Sequence, residues 1–221
     1  MSQLSGGYAT AGDGCSVAGL WPTEHFPGSG PFKSGFRSKQ GQLKHLLRLT
    51  GFAMNIVLAR VDNRLIHGQV LEAWVPHVHA DCIMVANDRI AEVPLQKALM
   101  EAAVPSEIKV VIGSVEMIAG ELSNPGWENS RILLLFETSY DALVGHRIGM
   151  QFAELNLGNM HAETGKVRFS CTIALGEEDI KNLASLESEE GVSIVCKCIP
   201  ADRGRPWRKL LGKDDTVDGS S

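Results

Sequence analysis

The ten residues 60–69, RVDNRLIHGQ, place two arginines, an aspartate and a histidine within eight positions of one another. Of these, only the imidazole of His67 can act as a nucleophile near neutral pH. Arg60 and Arg64 each offer a planar fork of N–H donors that matches the oxygens of a phosphoryl group. Asp62 can orient the ring or hold an arginine, and Gln69 adds a further polar orienting group. Gly68 leaves the backbone open to close approach. Taken together these are the parts of a phosphohistidine site, in which a ring nitrogen takes the phosphoryl group while amides and guanidinium groups stabilise its charge. Residue types and spacing leave plainer readings open. A lone histidine at a strand–helix junction serves as a capping or packing residue, Arg60 as a strand-end charge, Arg64 as a solvated turn residue, and Asp62-Asn63 as ordinary turn chemistry.

The elements around this run must hold it in place. IVLARV at 56–61 reads as a buried strand, and GQVLEAWV at 68–75 as a helix that Pro76 stops. The loop between them falls at the carboxyl end of a strand and the amino end of a helix. There, free N–H groups and the positive dipole end favour an anion. From here strands and helices alternate. Strands are expected at 82–86, 109–113, 131–136 and 153–158, an extended region at 166–175, and a last strand at 193–199. Helices are expected at 88–103, at 114–122 with Ser114 as N-cap, at 139–148 and at 177–188. Within 88–103, the residues Ile90, Val93, Leu95, Ala98, Leu99 and Ala102 recur near helical spacing. Continuous apolar strands alternating with helices predict an α/β protein of three α/β/α layers around a mostly parallel sheet.

Composition narrows the function. The 221 residues are 44% hydrophobic and 21% charged, with a net charge of −5, which argues against a general nucleic-acid binder. Residues 1–53 differ from the rest. They hold ten of the 23 glycines and carry five basic against two acidic residues, a balance of +3 that leaves −8 on the remainder. They are expected to be a disordered extension or a start called too early, with the folded domain over 54–211 and a tail over 212–221. No apolar run reaches the length of a membrane span. Five cysteines form no CxxC pair, which fits a reduced cytosolic protein. Cys82 is expected to be buried, and Cys196 and Cys198 to share one face of a strand. His77 and His79, placed past Pro76, lack a cysteine or carboxylate at ligand spacing, so neither metal nor cofactor is expected. GRPWRKLLGK at 204–213 could present Trp207 to a partner or pack it on the domain.

RVDNRLIHGQV resembles the signature of the IIB components of the mannose/fructose/sorbose family of the bacterial phosphotransferase system. IMVANDRIA (83–91), RILLLFET (131–138) and ELNLGNMH (154–161) are similar to family segments in the same order, so the resemblance covers residues 54–211. It implies that His67 receives a phosphoryl group from a phosphohistidine of a IIA protein and passes it to a hexose held by membrane IIC and IID partners. It also implies a cytoplasmic protein, stationed at the inner face of the membrane through those partners, and a first strand lying between the fourth and fifth. Glu137-Thr138 and residues 158–161 would then flank the His67 loop, with Gly158 and His161 as supporting residues. A homo-oligomer is compatible with this. Asn63 stands where the family pattern suggests Asp. Two other functions use or bypass the same residues: a regulatory phosphohistidine module uncoupled from transport, and a small α/β ligand-binding protein. No Gly-rich phosphate loop follows the first strand to favour the last.

Overall fold

The structure, a computed structural model, describes residues 55–211. The expectations for 1–53, for a start at Met54 and for the tail 212–221 lie outside the described residues. Strand β1 (Ile56–Asp62) occupies the middle of a seven-stranded sheet of order β3-β2-β4-β1-β5-β8-β9. The other strands are β2 (Cys82–Ala86), β3 (Lys109–Gly113), β4 (Ile132–Phe136), β5 (Glu154–Asn159), β8 (Ser193–Cys196) and β9 (Arg205–Pro206). All pairings are parallel except β8 with β9. β1 therefore lies between β4 and β5, as the resemblance implies, and helices cover both faces in three α/β/α layers.

Alternation along the strands sorts two cores. Ile83, Val85, Leu133 and Leu135 join Leu65, Val70 and Ile90 on one face, while Cys82, Met84, Ile132, Leu134 and Phe136 join Ile118, Ala142 and Leu183 on the other. Every residue of β2 and β4 is buried, because a parallel sheet covered on both faces leaves no side open to water. Trp207 is fully buried in the second core, so the C-terminal segment packs its tryptophan on the domain and does not present it to a partner. Helices α4 (Val115–Leu122), capped by Ser114, α5 (Ser139–Ile148) and α6 (Glu177–Ser188) match their expected spans.

Four expectations need correction. Helix α1 does not stop at Pro76. A π-helical turn, Val70–Trp74, runs into an α-helical turn, Val75–Val78, and the chain leaves the helix at His79 with φ 50. The π turn sets the Val75 N–H on the Val70 carbonyl five residues back. That widening makes room ahead of a proline that has no N–H to give and a ring that crowds the preceding turn. His77 thus sits within α1 and His79 ends it. Second, 88–103 is two helices, α2 (Asp88–Ala91) and α3 (Pro94–Ala103), because Pro94 starts a new helix. Helix α3 buries none of its residues, and Leu95 and Leu99 are exposed. Third, the extended region 166–175 folds back on itself as a hairpin of β6 (Val167–Arg168) and β7 (Ala174–Leu175). The Ser170 hydroxyl makes the turn by accepting the N–H groups of Thr172 and Ile173. Fourth, β8 ends at Cys196, so strand alternation does not extend to Cys198.

Candidate functional site

At the carboxyl end of β1, Asp62 is the hub. Its side chain has no exposure, yet it meets three cations or potential cations. Oδ2 accepts from Arg60 Nη2 at 2.9 Å and from Arg64 Nη2 at 3.2 Å, and Oδ1 accepts from Arg64 Nε at 3.1 Å. Oδ1 also accepts the Arg64 backbone N–H at 3.2 Å, which closes the turn after the strand. The imidazole Nε2 of His67 lies 3.8 Å from Oδ2. Two guanidinium groups against one carboxylate leave a net positive charge beside the ring. That charge favours a phosphoryl group over a neutral ligand.

The two arginines have different stations. Arg60 is fully buried. Besides Asp62, its guanidinium donates to the side-chain oxygen of Asn156 and to the carbonyls of Lys197 and Cys198. It also lies 4.7 Å from the centre of the Trp74 ring. Burial pulls its pKa down from the ordinary arginine value, with Asp62 offsetting part of the effect. Arg60 accordingly lies beneath the site as an orienting group and is not placed to grip phosphate oxygens directly. Arg64, with 39% of its side chain exposed, is the one at the surface. It also donates to Gln69 Oε1 at 3.2 Å, and Gln69 in turn reaches Cys198 Sγ at 3.8 Å.

His67 is partly covered, with 18% of its side chain exposed. Its Nδ1 lies 2.9 Å from the Leu65 carbonyl, which can only accept, so this nitrogen carries the proton. Nε2 has no hydrogen-bond partner and no exposure. Leu65 aims its carbonyl through a left-handed backbone, φ 53, with its side chain buried in the core. Holding a leucine there costs about 1–2 kcal/mol. The N–H groups of Val70 and Leu71 fold back onto the His67 carbonyl, so helix α1 opens at Gly68 beside the ring. A Cβ at Gly68 would meet no atom within 4 Å. The openness at this position faces outward and is not demanded by packing.

The remaining expected residues take distinct places. A Cβ at Gly158 would overlap the Arg60 guanidinium, so this glycine makes room for the buried arginine. Asn159 bridges two loops: its carbonyl accepts the Asn63 N–H at 3.0 Å, and its side chain bonds Asn63 Oδ1 and approaches His161 Nδ1 at 3.4 Å. His161 is exposed and reaches the site only through that bridge. Glu137 is taken by Arg89 at 2.6 Å, and Thr138 caps α5; neither touches the His67 loop. Among the described residues no three His, Cys, Asp or Glu side chains converge as a metal-ligand set.

Several supporting residues escape the sequence reading. Asn156 pairs with Arg60 in the register of β1 and β5. Trp74 donates its indole N–H to the Cys198 carbonyl at 3.2 Å. Asp202 accepts the N–H groups of Cys198 and Ile199 and so shapes the turn whose carbonyls hold Arg60. One signal was available for this buried network. Arg60 and Asp62 stand two apart on a strand, hence on one face, in a sheet covered on both sides.

Known proteins resemble this chain in sequence and in fold. The family described as the sorbose-subfamily IIB component of the phosphotransferase system matches residues 56–221. The fructose-specific EIIB component of Bacillus subtilis is 34% identical over 158 residues, 72% of this chain and 96% of that protein. An N-acetylgalactosamine-specific IIB component of Escherichia coli is 34% identical over 157 residues, 71% of this chain and 99% of that protein. The crystal structure of the IIB domain of the sorbose permease from Klebsiella pneumoniae superposes with a TM-score of 0.68 at 30% identity. It covers 71% of this chain and 96% of that one.

Proposed function

The chain belongs to the sorbose-subfamily IIB components of the phosphotransferase system, and from that premise we propose that His67 is its phosphoryl carrier. A phosphohistidine on a IIA protein is the donor, and a hexose held by membrane IIC and IID partners is the acceptor. In the first step a lone pair of the His67 ring attacks phosphorus, the donor's N–P bond breaks, and its electron pair stays with the donor imidazole. In the second, a sugar hydroxyl attacks phosphorus, loses its proton, and returns the N–P electrons to His67. Transfer of this kind needs mainly positioning and charge stabilisation. The observation that carries the proposal is the imidazole fixed between the Leu65 carbonyl and the Asp62 carboxylate, next to the exposed Arg64 guanidinium and the open start of α1. Nδ1 is engaged by the Leu65 carbonyl, and Nε2, which carries the lone pair, is the nitrogen without a hydrogen-bond partner. No helix among the described residues is long and apolar enough to cross a membrane.

The test is labelling from a phosphorylated IIA protein, with mapping of the acid-labile phosphate. His67→Ala is expected to take no label. Arg64→Ala is expected to slow transfer about a hundredfold while leaving the fold intact, at a cost of about 1–3 kcal/mol because the buried Asp62 carboxylate loses one of its two guanidinium partners. Label on His67→Ala, or at another residue of the native chain, refutes the assignment.

A further inference from the structure

The hairpin β6–β7 closes a small pocket against the end of β5. Its volume is about 40 Å³, and the residues around it include Asn159, His161, Arg168, Ser170 and Thr172, with no Asp or Glu. One enclosed water needs about 10–15 Å³ on this measure, so the space holds roughly three oxygens and no sugar ring. The walls are fixed in advance. The Met160 N–H bonds the Thr172 carbonyl at 2.8 Å, and the Ala174 N–H returns to the Met160 carbonyl at 2.9 Å. Because Ser170 Oγ already accepts two backbone N–H groups, its own proton is left to donate. The Asn159–Asn63 bridge then links this pocket directly to the loop that carries His67.

A larger cavity of about 490 Å³, near the start of α5, has the opposite character. Asp88, Asp141, Glu178 and Asp179 line it, and its two cations are already paired, Arg89 with Glu137 and Lys166 with Asp179. It does not suit an anion. The small pocket does: Arg168, His161, Ser170 and Thr172 are among the residues around a space of phosphoryl size.

We propose that the pocket formed by Asn159, His161, Arg168, Ser170 and Thr172 binds a phosphoryl dianion, and that in use this is the phosphate of a phosphorylated sugar close to the His67 loop. The ligand class rests on the phosphocarrier reading; the anion site itself does not. The test follows the backbone amide NMR signals of the full chain during titration with inorganic phosphate, glucose 6-phosphate and, as uncharged control, glucose. Both phosphates are expected to give saturable shifts at residues 159–162 and 168–174, and glucose none. Arg168→Gln should weaken binding about tenfold, and His67→Ala should leave it unchanged. Tighter binding of the ester than of free phosphate supports the sugar-phosphate assignment, and equal or weaker binding overturns it. Shifts confined to residues 64–69, no saturable shift, or equal affinity in Arg168→Gln overturn the pocket. None of these readouts requires that His67 accept label, so a failed labelling experiment and a failed pocket are told apart.

Discussion

The two halves of the central sheet follow different physical rules. In β2 and β4 every side chain is apolar and buried, and the side chains contribute through hydrophobic burial, worth about 1.5–3 kcal/mol for each large one. In β1 and β5 the same sheet buries Arg60, Asp62, Asn156 and Asn159. Removing these charges from water is costly, and their mutual contacts offset that cost only while every partner is in place. The first half is a scaffold that tolerates change in proportion to the volume lost. The second is a support for His67 whose members stand or fall together.

Three substitutions sharpen that contrast. The largest effect is expected from Arg60→Met, which leaves Asp62 buried with Arg64 alone. Stability should fall by about 3–5 kcal/mol in urea unfolding, and the protein that remains folded should transfer phosphate far more slowly than the native chain. Leu134→Ala should cost a similar or smaller amount, about 2–5 kcal/mol, yet the folded fraction should transfer at the native rate per molecule. A transfer defect equal to that of Arg60→Met would erase the distinction between the two halves. Smallest in stability is Asp202→Ala, about 0.5–1.5 kcal/mol for each of the two backbone hydrogen bonds it removes at a partly exposed turn. It should nevertheless slow transfer measurably, because the carbonyls of Lys197 and Cys198 lose the geometry that holds Arg60. Unchanged transfer in Asp202→Ala would show that the support ends at Asn156.

The same contrast explains what the amino-acid order reveals. The apolar strands announce themselves as runs, and Ser114 as a cap by its place before an apolar helix. The His67 loop stands out because charged residues interrupt such a run. Prolines mislead in both directions: Pro76 looks like a stop, but a π turn carries the helix past it, whereas Pro94 breaks a helix whose apolar spacing looks continuous. Leu95 and Leu99 keep that spacing and are nevertheless exposed, since periodicity gives a face but not what lies against it. Arg60 is the more instructive case. Its residue type points to solvent and to phosphate; its place two residues from Asp62 hints at a buried pair, and the neighbouring strand, which contributes Asn156 in register, shows it to be an internal strut. Contacts across almost a hundred positions of chain have no local trace.

Leu65 binds conformational strain and molecular anchorage into one residue. Glycine there would relax the backbone but forfeit the grip on the hydrophobic interior, while a bulkier or branched residue would keep the grip and resist the twist. The aim of the imidazole is thereby tethered to the tightness of the core that grips Leu65, so mutations deep in that core can shift the ring without altering any polar group.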